Sequence, residues 1–357
     1  MINKKYIKVK IISVIIFLLI IGLVFYFIKI KNTPDYVSLI SELQTSSTKK
    51  MSTYSVSVGN EPYDIAIYQN YAYVTNSKDD YISVLDISHP LSPKQVATTT
   101  VGKCPSKIAI SNHHAYVTNY CSDTLSVLDI SNPLSPKQVA TTTVGNSIYG
   151  NSPNGIAVSG RYLYILDNNN ASFFVIDILN PTSPKQIANI KVGEGASNLS
   201  ISGNYAYVTN DYDNQGEGSM SVIDISNPLS PKQVIKSLVG PNPYSVAISN
   251  HYAYITNSGS KMISTIDISN PLSPKQIATT TVGNGPTNII VSGNYAYVTN
   301  YGDNDISVLD IANPLSPKQV ATTTDIGISP WAIAVSGNYA YVTNLDGGTV
   351  SVMNIVK

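Results

Sequence analysis

The sequence predicts an all-β fold, a seven-bladed β-propeller of four-stranded blades, from three observations. The first is a recurring motif. The stretch SGNYAYVTN (Ser292–Asn300) ends in YVTN, which returns at Tyr73–Asn76, Tyr116–Asn119, Tyr207–Asn210 and Tyr341–Asn344; it is altered to YILD at Tyr164–Asp167 and to YITN at Tyr254–Asn257. The seven copies are 43, 48, 43, 47, 43 and 44 residues apart. A period of about 45 residues with several short β-type runs in each marks a propeller. The second observation is that each period reads as four short strands joined by tight turns. The third is that the last repeat stops after its third strand, while MSTYSVSVG (Met51–Gly59) precedes the first repeat and aligns with the outer-strand segment QVATTTVG.

Taken in order, the chain begins with an apolar run, Ile11 to Ile28, interrupted only by Ser13, Gly22 and Tyr26. A helix of this length rises about 27 Å, enough to cross a bilayer core. Lys4, Lys5, Lys8 and Lys10 precede it, and Lys29 and Lys31 follow. That bias favours an N-terminus inside the cell. A cleaved signal peptide is the alternative, but the run is long for an h-region and no A-x-A-like site follows it. The expectation is a single-pass signal-anchor over residues 1–31, a linker over 32–50 and a propeller over 51–357, displayed outside the cytoplasm. The linker is polar and rich in Ser and Thr, and as a flexible chain it spans roughly 25 Å.

Within one repeat, Gly283 to Gly327, the expected strands are Asn288–Val291 (inner), Tyr295–Thr299 (second), Ile306–Ile311 (third) and Lys318–Thr324 (outer). Ser292-Gly293-Asn294 supplies a hairpin turn, and the Asn-Pro-Leu-Ser-Pro run from Asn313 to Pro317 a second one. Met51–Gly59 is expected to supply the missing outer strand of the seventh blade and so close the ring. The chain then reaches the ring on the face of the NPLSPK turns, which is expected to lie toward the membrane.

Six aspartates precede these turns: Asp86, Asp129, Asp177, Asp224, Asp267 and Asp310. They read as acceptors for turn N–H groups rather than as a catalytic ring. Lys94, Lys137, Lys185, Lys232, Lys275 and Lys318 start the outer strands. Their reading is edge protection, with attraction to anionic headgroups as the alternative.

The seven copies differ most at one pair of residues at the start of the inner strand: Tyr63-Asp64, Ser106-Lys107, Asn154-Gly155, Ser197-Asn198, Tyr244-Ser245, Thr287-Asn288 and Trp331-Ala332. These pairs are expected at the mouth of the central channel, on the face away from the membrane. Tyr63, Tyr244 and Trp331 can stack on a sugar or an apolar group, with Asp64, Lys107, Asn154, Asn198 and Asn288 as polar partners. Neutral drift at exposed positions is the competing account. The loops after the YVTN strands also vary, and the longest is Asp211–Ser219, DYDNQGEGS. It lacks an acidic residue at the twelfth position of a calcium loop, where Val222 stands.

Cys104 and Cys121 are equidistant from a hairpin centre between Asn112 and His113, so an antiparallel pair sets them opposite one another. The matching residues of the first repeat, Glu61 and Lys78, carry opposite charges. Outside the cytoplasm a disulfide is expected, with two free thiols as the alternative. His89, His113, His114 and His251 fall at turns without ligand spacing, and no metal or cofactor is assigned. Only 12% of residues are charged, and 22 basic balance 22 acidic residues. No basic field steers the chain to nucleic acid.

VSGNYAYVTN (Val291–Asn300) followed by ISVLDIANPLSPK (Ile306–Lys318) resembles the LVIVD and YVTN propeller repeats of bacterial and archaeal cell-surface proteins. The resemblance covers about residues 51–357 and implies the fold more strongly than an activity. Together with the anchor and the variable mouth, the expectation is a surface-displayed binding or adhesion module that meets a protein or glycan partner through its membrane-distal face. The wider class also holds lactonases and lyases, but none of their catalytic motifs can be placed on this chain. An enzyme working at the channel mouth, or a structural surface-layer subunit, is the alternative expectation.

Overall fold

The computed structural model describes residues 53–145, 153–211 and 217–355; the apolar run Ile11–Ile28, the linker and residues 212–216 of the long loop lie outside the described residues. Seven antiparallel sheets of four strands each make the propeller. In the sixth blade the strands are Pro286–Ser292, Tyr295–Asn300, Asp305–Asp310 and Lys318–Thr323. The inner strand therefore starts earlier than Asn288. Proline has no N–H to donate, so it is tolerated as the first residue of a strand. A register shift between Pro286 and Ile289 follows it. Six of the seven inner strands open on a proline; Ala196 opens the other.

The seventh sheet draws on both ends of the propeller. Thr53–Ser57 pairs antiparallel with Thr349–Asn354, with Thr53 opposite Met353 and Ser57 opposite Thr349. Every outer strand starts as it leaves the turn after the third strand; Asp310 lies opposite Lys318, for example. Thr53 therefore lies at the face of these turns.

The core lies between blades. Ile82 and Val84 of the first blade pack with Ile108, Val117 and Leu128 of the second, and Tyr73 belongs to the same cluster. The tyrosine of every YVTN copy is buried to 2% exposure or less. Burial pushes the phenols of Tyr73, Tyr116, Tyr164, Tyr207, Tyr254 and Tyr341 up to about 12, because a phenolate there loses its water.

The Thr and Asn of YVTN each have a fixed task. Thr256 Oγ1 accepts the Ser245 N–H at 2.9 Å and donates to the Thr287 carbonyl of the next blade at 2.8 Å. Thr75, Thr209 and Thr299 bridge in the same way to the carbonyls of Ser106, Tyr244 and Trp331. Asn300 Nδ2 donates to Ser307 Oγ at 2.8 Å, and the equivalents reach Ser83, Ser126, Ser221, Ser264 and Ser351. Against the same amide packs a glycine: a Cβ on Gly283 would lie 2.5 Å from Asn300 Nδ2.

The third blade departs from this pattern by linked changes. Asp167 replaces the Asn and bonds Asn170 Nδ2 at 2.8 Å, while Phe174 replaces the serine. Leu166 replaces the threonine, and a Cβ on Gly155 would lie 2.7 Å from its Cδ1.

The turn aspartates behave as expected. Asp86 Oδ1 accepts the Ser88 N–H at 2.9 Å, and Asp129, Asp177, Asp224, Asp267 and Asp310 repeat the bond. Hydrogen bonds from the Ser88 side chain and N–H hold the Asp86 carboxyl below its usual range. In all six copies the lysine that starts the outer strand stands directly opposite the turn aspartate. The lysine ring thus runs alongside the carboxylate ring at this face.

Candidate functional site

The bulge after each opening proline sets apart the variable pair. Its first residue takes one of two directions, according to its chemistry. Ser106, Ser197 and Thr287 are buried hydroxyls that stay in the wall. Ser106 Oγ lies 2.9 Å from Thr118 Oγ1 and donates to the Pro153 carbonyl; Thr287 Oγ1 lies 2.9 Å from Thr299 Oγ1 and donates to the Trp331 carbonyl. Tyr63, Tyr244 and Trp331 are half-buried and meet each other.

The Tyr63 and Tyr244 phenols are hydrogen-bonded at 3.1 Å, joining the first blade to the fifth. Trp331 of the seventh blade lies 5.3 Å from the Tyr63 ring and 5.5 Å from the Tyr244 ring, centroid to centroid. The second contact is edge-to-face, the arrangement that a ring quadrupole favours. Trp331 Nε1 is buried and finds no partner among the described residues.

A charged pair borders the aromatic group. Lys107 Nζ lies 3.8 Å from Asp64 Oδ1 and 5.4 Å from the centre of the Tyr63 ring. Both side chains are largely buried, at 6% and 15% exposure. Burial pushes the Asp64 carboxyl up; the Lys107 charge and the Ile108 N–H, which donates at 3.0 Å, oppose this. Burial, the Tyr63 phenol and the carboxylates of Asp64 and Asp211 together raise Tyr244 well above an ordinary phenol.

The LVIVD repeat matches residues 61–100, 105–143, 150–191, 193–236, 242–281, 286–325 and 329–352. The chain belongs to the LVIVD repeat family. Solved propellers share the fold of this LVIVD protein at low identity. Hydrazine synthase of Kuenenia stuttgartiensis is 16% identical with a TM-score of 0.68, over 83% of this chain and 96% of that one. BamB of Moraxella catarrhalis is 14% identical with a TM-score of 0.56, over 82% and 81%. A Bacteroides uniformis protein described as a candidate 6-phosphogluconolactonase is 16% identical with a TM-score of 0.62, over 70% and 80%. No curated protein matches the chain in sequence.

Of the eight residues expected at the mouth, the LVIVD propeller joins Tyr63, Asp64, Lys107, Tyr244 and Trp331 in one group. Asn154 is buried, and its Oδ1 has no partner among the described residues. Asn198 and Asn288 donate their backbone N–H groups to Thr209 and Thr299. Cys104 and Cys121 are bonded, with Sγ atoms 2.06 Å apart. Sequence comparison of the pairs missed Tyr301, whose ring meets Trp331 edge-on at 5.7 Å. It also missed Asp211, whose carboxyl is raised by burial and whose Oδ1 has no partner among the described residues. Both directly follow a YVTN motif, where the copies read Ser77, Tyr120, Asn168, Asp211, Ser258, Tyr301 and Leu345. That variation was the available signal.

Proposed function

We propose that this LVIVD propeller is a binding module that is held at a membrane and presents its mouth to a glycan or protein partner outside the cytoplasm. One observation carries the binding role. Tyr63, Tyr244 and Trp331, all half-buried, and the exposed Tyr301 come from four blades and form one aromatic group, bordered by Asp64 and Lys107. Aromatic faces beside a donor and an acceptor suit a polyhydroxylated or apolar partner. The apolar run Ile11–Ile28 and its flanking lysines support the anchor, and the Cys104–Cys121 bond supports an oxidising location.

The test is retention of cell-envelope glycans and proteins by the full chain in detergent, beside the Trp331→Ala, Tyr244→Ala double variant. A partner held by the wild type and lost by the variant is expected. A partner held equally by both would place binding elsewhere.

One observation favours a second reading, an acid–base enzyme at the same mouth. Asp64 and Asp211 both act on Tyr244, and burial raises both carboxyls. Turnover of a lactone or related substrate that Asp64→Asn abolishes would establish it.

A further inference from the structure

The face opposite the mouth carries exposed leucines at the tips of the turns that follow the third strands. Leu91, Leu134, Leu229, Leu272 and Leu315 fill the same place in the Pro-Leu-Ser-Pro run of their repeats. The third repeat has Thr182 there, but Leu179 stands three residues earlier on the same turn. At that earlier place the other repeats have Ser88, Ser131, Ser226, Ser269 or Ala312. Leucine thus appears at the alternative place only where the tip lacks one. All six are between 44% and 68% exposed. Single exposed leucines are ordinary, but one on every such turn of one face, kept through a change of position, is not.

The turns hold these side chains outward. Asn132 Oδ1 accepts the Leu134 N–H at 3.2 Å, and Asn227, Asn270 and Asn313 do the same for Leu229, Leu272 and Leu315. The backbone at the tip is satisfied, so folding does not draw the leucine inward.

What covers this face follows from where the chain arrives. Thr53 lies at the same face, opposite Met353. The chain before it, 24 residues from Lys29 to Ser52, leads back to the apolar run that ends at Ile28. A flexible chain of that length spans roughly 27 Å. The turn lysines, each opposite an aspartate, do not make the face a cationic one.

We propose that the six leucines are a membrane-interface contact that seats the propeller turn-face down on a lipid bilayer, by apolar insertion rather than by charge. The proposal rests on the membrane-held reading given above. Amphipathic surfaces of this kind sit about 5–10 Å into the headgroup boundary.

The test places a single cysteine at Leu229, at Leu315 or at Asn284 of the full chain and labels it with an environment-sensitive fluorophore. Asn284 is exposed on the mouth face, and the two native cysteines are bonded to each other. Each variant is reconstituted into phosphatidylcholine vesicles containing shallow spin-labelled lipid. Leu229→Cys and Leu315→Cys should lose most of their emission and Asn284→Cys little, at both low and high salt. Equal, weak quenching at all three sites would overturn the proposal. So would leucine-site labels shielded from both lipid quencher and aqueous iodide, which indicates a second copy on this face. Alkaline extraction of the same vesicles reads the anchor separately. An extractable chain with quenched leucine sites would remove the anchor and keep the interface contact.

Discussion

The same substitution, Thr→Val, at two places in the fifth blade should change stability in opposite directions. Thr256 Oγ1 accepts from Ser245 N–H and donates to the Thr287 carbonyl of the neighbouring blade, and all three residues are buried. Thr256→Val keeps the shape, removes both bonds and strands a buried donor and acceptor. Two bonds at about 1 kcal/mol each, with the cost of the stranded groups, give a loss of about 2–4 kcal/mol. Thr265 lies one strand outward, is fully buried, and its Oγ1 has no partner among the described residues. The other six blades have valine there: Val84, Val127, Val175, Val222, Val308 and Val352. Thr265→Val removes an unsatisfied hydroxyl and should gain about 1–2 kcal/mol. Trp331 is the only tryptophan in the chain, so its emission reports urea unfolding without interference. The midpoint should fall for Thr256→Val and rise for Thr265→Val. An unchanged midpoint for the first would refute the bridging role assigned to the YVTN threonine, and a lowered one for the second would refute the unsatisfied state of the Thr265 hydroxyl.

Three further outcomes are expected. Gly283→Ala should lower thermal stability by about 1–3 kcal/mol, since its Cβ would lie 2.5 Å from the Asn300 amide; Gly293→Ala, with φ +60° and open space around it, should cost only about 1 kcal/mol. Intact mass should rise by two hydrogen atoms on reduction of Cys104–Cys121, and closing a loop of sequence separation 17 should be worth about 3 kcal/mol in a melting curve run with and without reductant. Alkali should unfold the propeller: the buried YVTN phenols titrate at about 12, against about 10 when unfolded. The unfolded chain then binds fewer protons between those values, so stability is intact below pH 10 and falls as pH rises toward 12. Phenolate absorbance from all 25 tyrosines around pH 10 with the fold intact would contradict the burial of these seven rings.

Much of this propeller was legible in the sequence because its repeats are nearly identical. Period, strand count and the Cys104–Cys121 pairing all follow from spacing, and spacing survives without coordinates. The inner-strand start was misplaced because Pro286 looks like turn chemistry, although it also suits the first position of a strand. The mouth was only half legible. Variation marked Tyr63, Tyr244 and Trp331, but it also marked Ser106 and Thr287, whose hydroxyls serve the wall. It marked Gly155 too, which is small because Leu166 occupies the space. A list of variable positions does not say which side chains turn inward, since all seven inner strands share the register shift and the contacts of each side chain decide its direction.

The repeats nonetheless separate structure from function once the contacts are known, because a change required by the fold brings a second change with it. At the hairpin place held by Cys104 and Cys121, the first blade has an ion pair between Glu61 and Lys78, and the seventh has Ser329 Oγ donating to Asp346 at 2.6 Å. The chemistry differs, but in these three blades the link across the two strands is kept. Asp167 comes with Asn170 and Phe174, and Leu166 with Gly155. Tyr63, Tyr244 and Trp331 show no such bookkeeping. The blades with Ser106, Ser197 and Thr287 at the same place close their walls without an aromatic ring, so the fold does not require one there. These three rings meet each other, and Tyr301 and Lys107 join them. Uncompensated variation that converges on one point supports the proposed binding role, because the large residues fall on blades whose mouths meet.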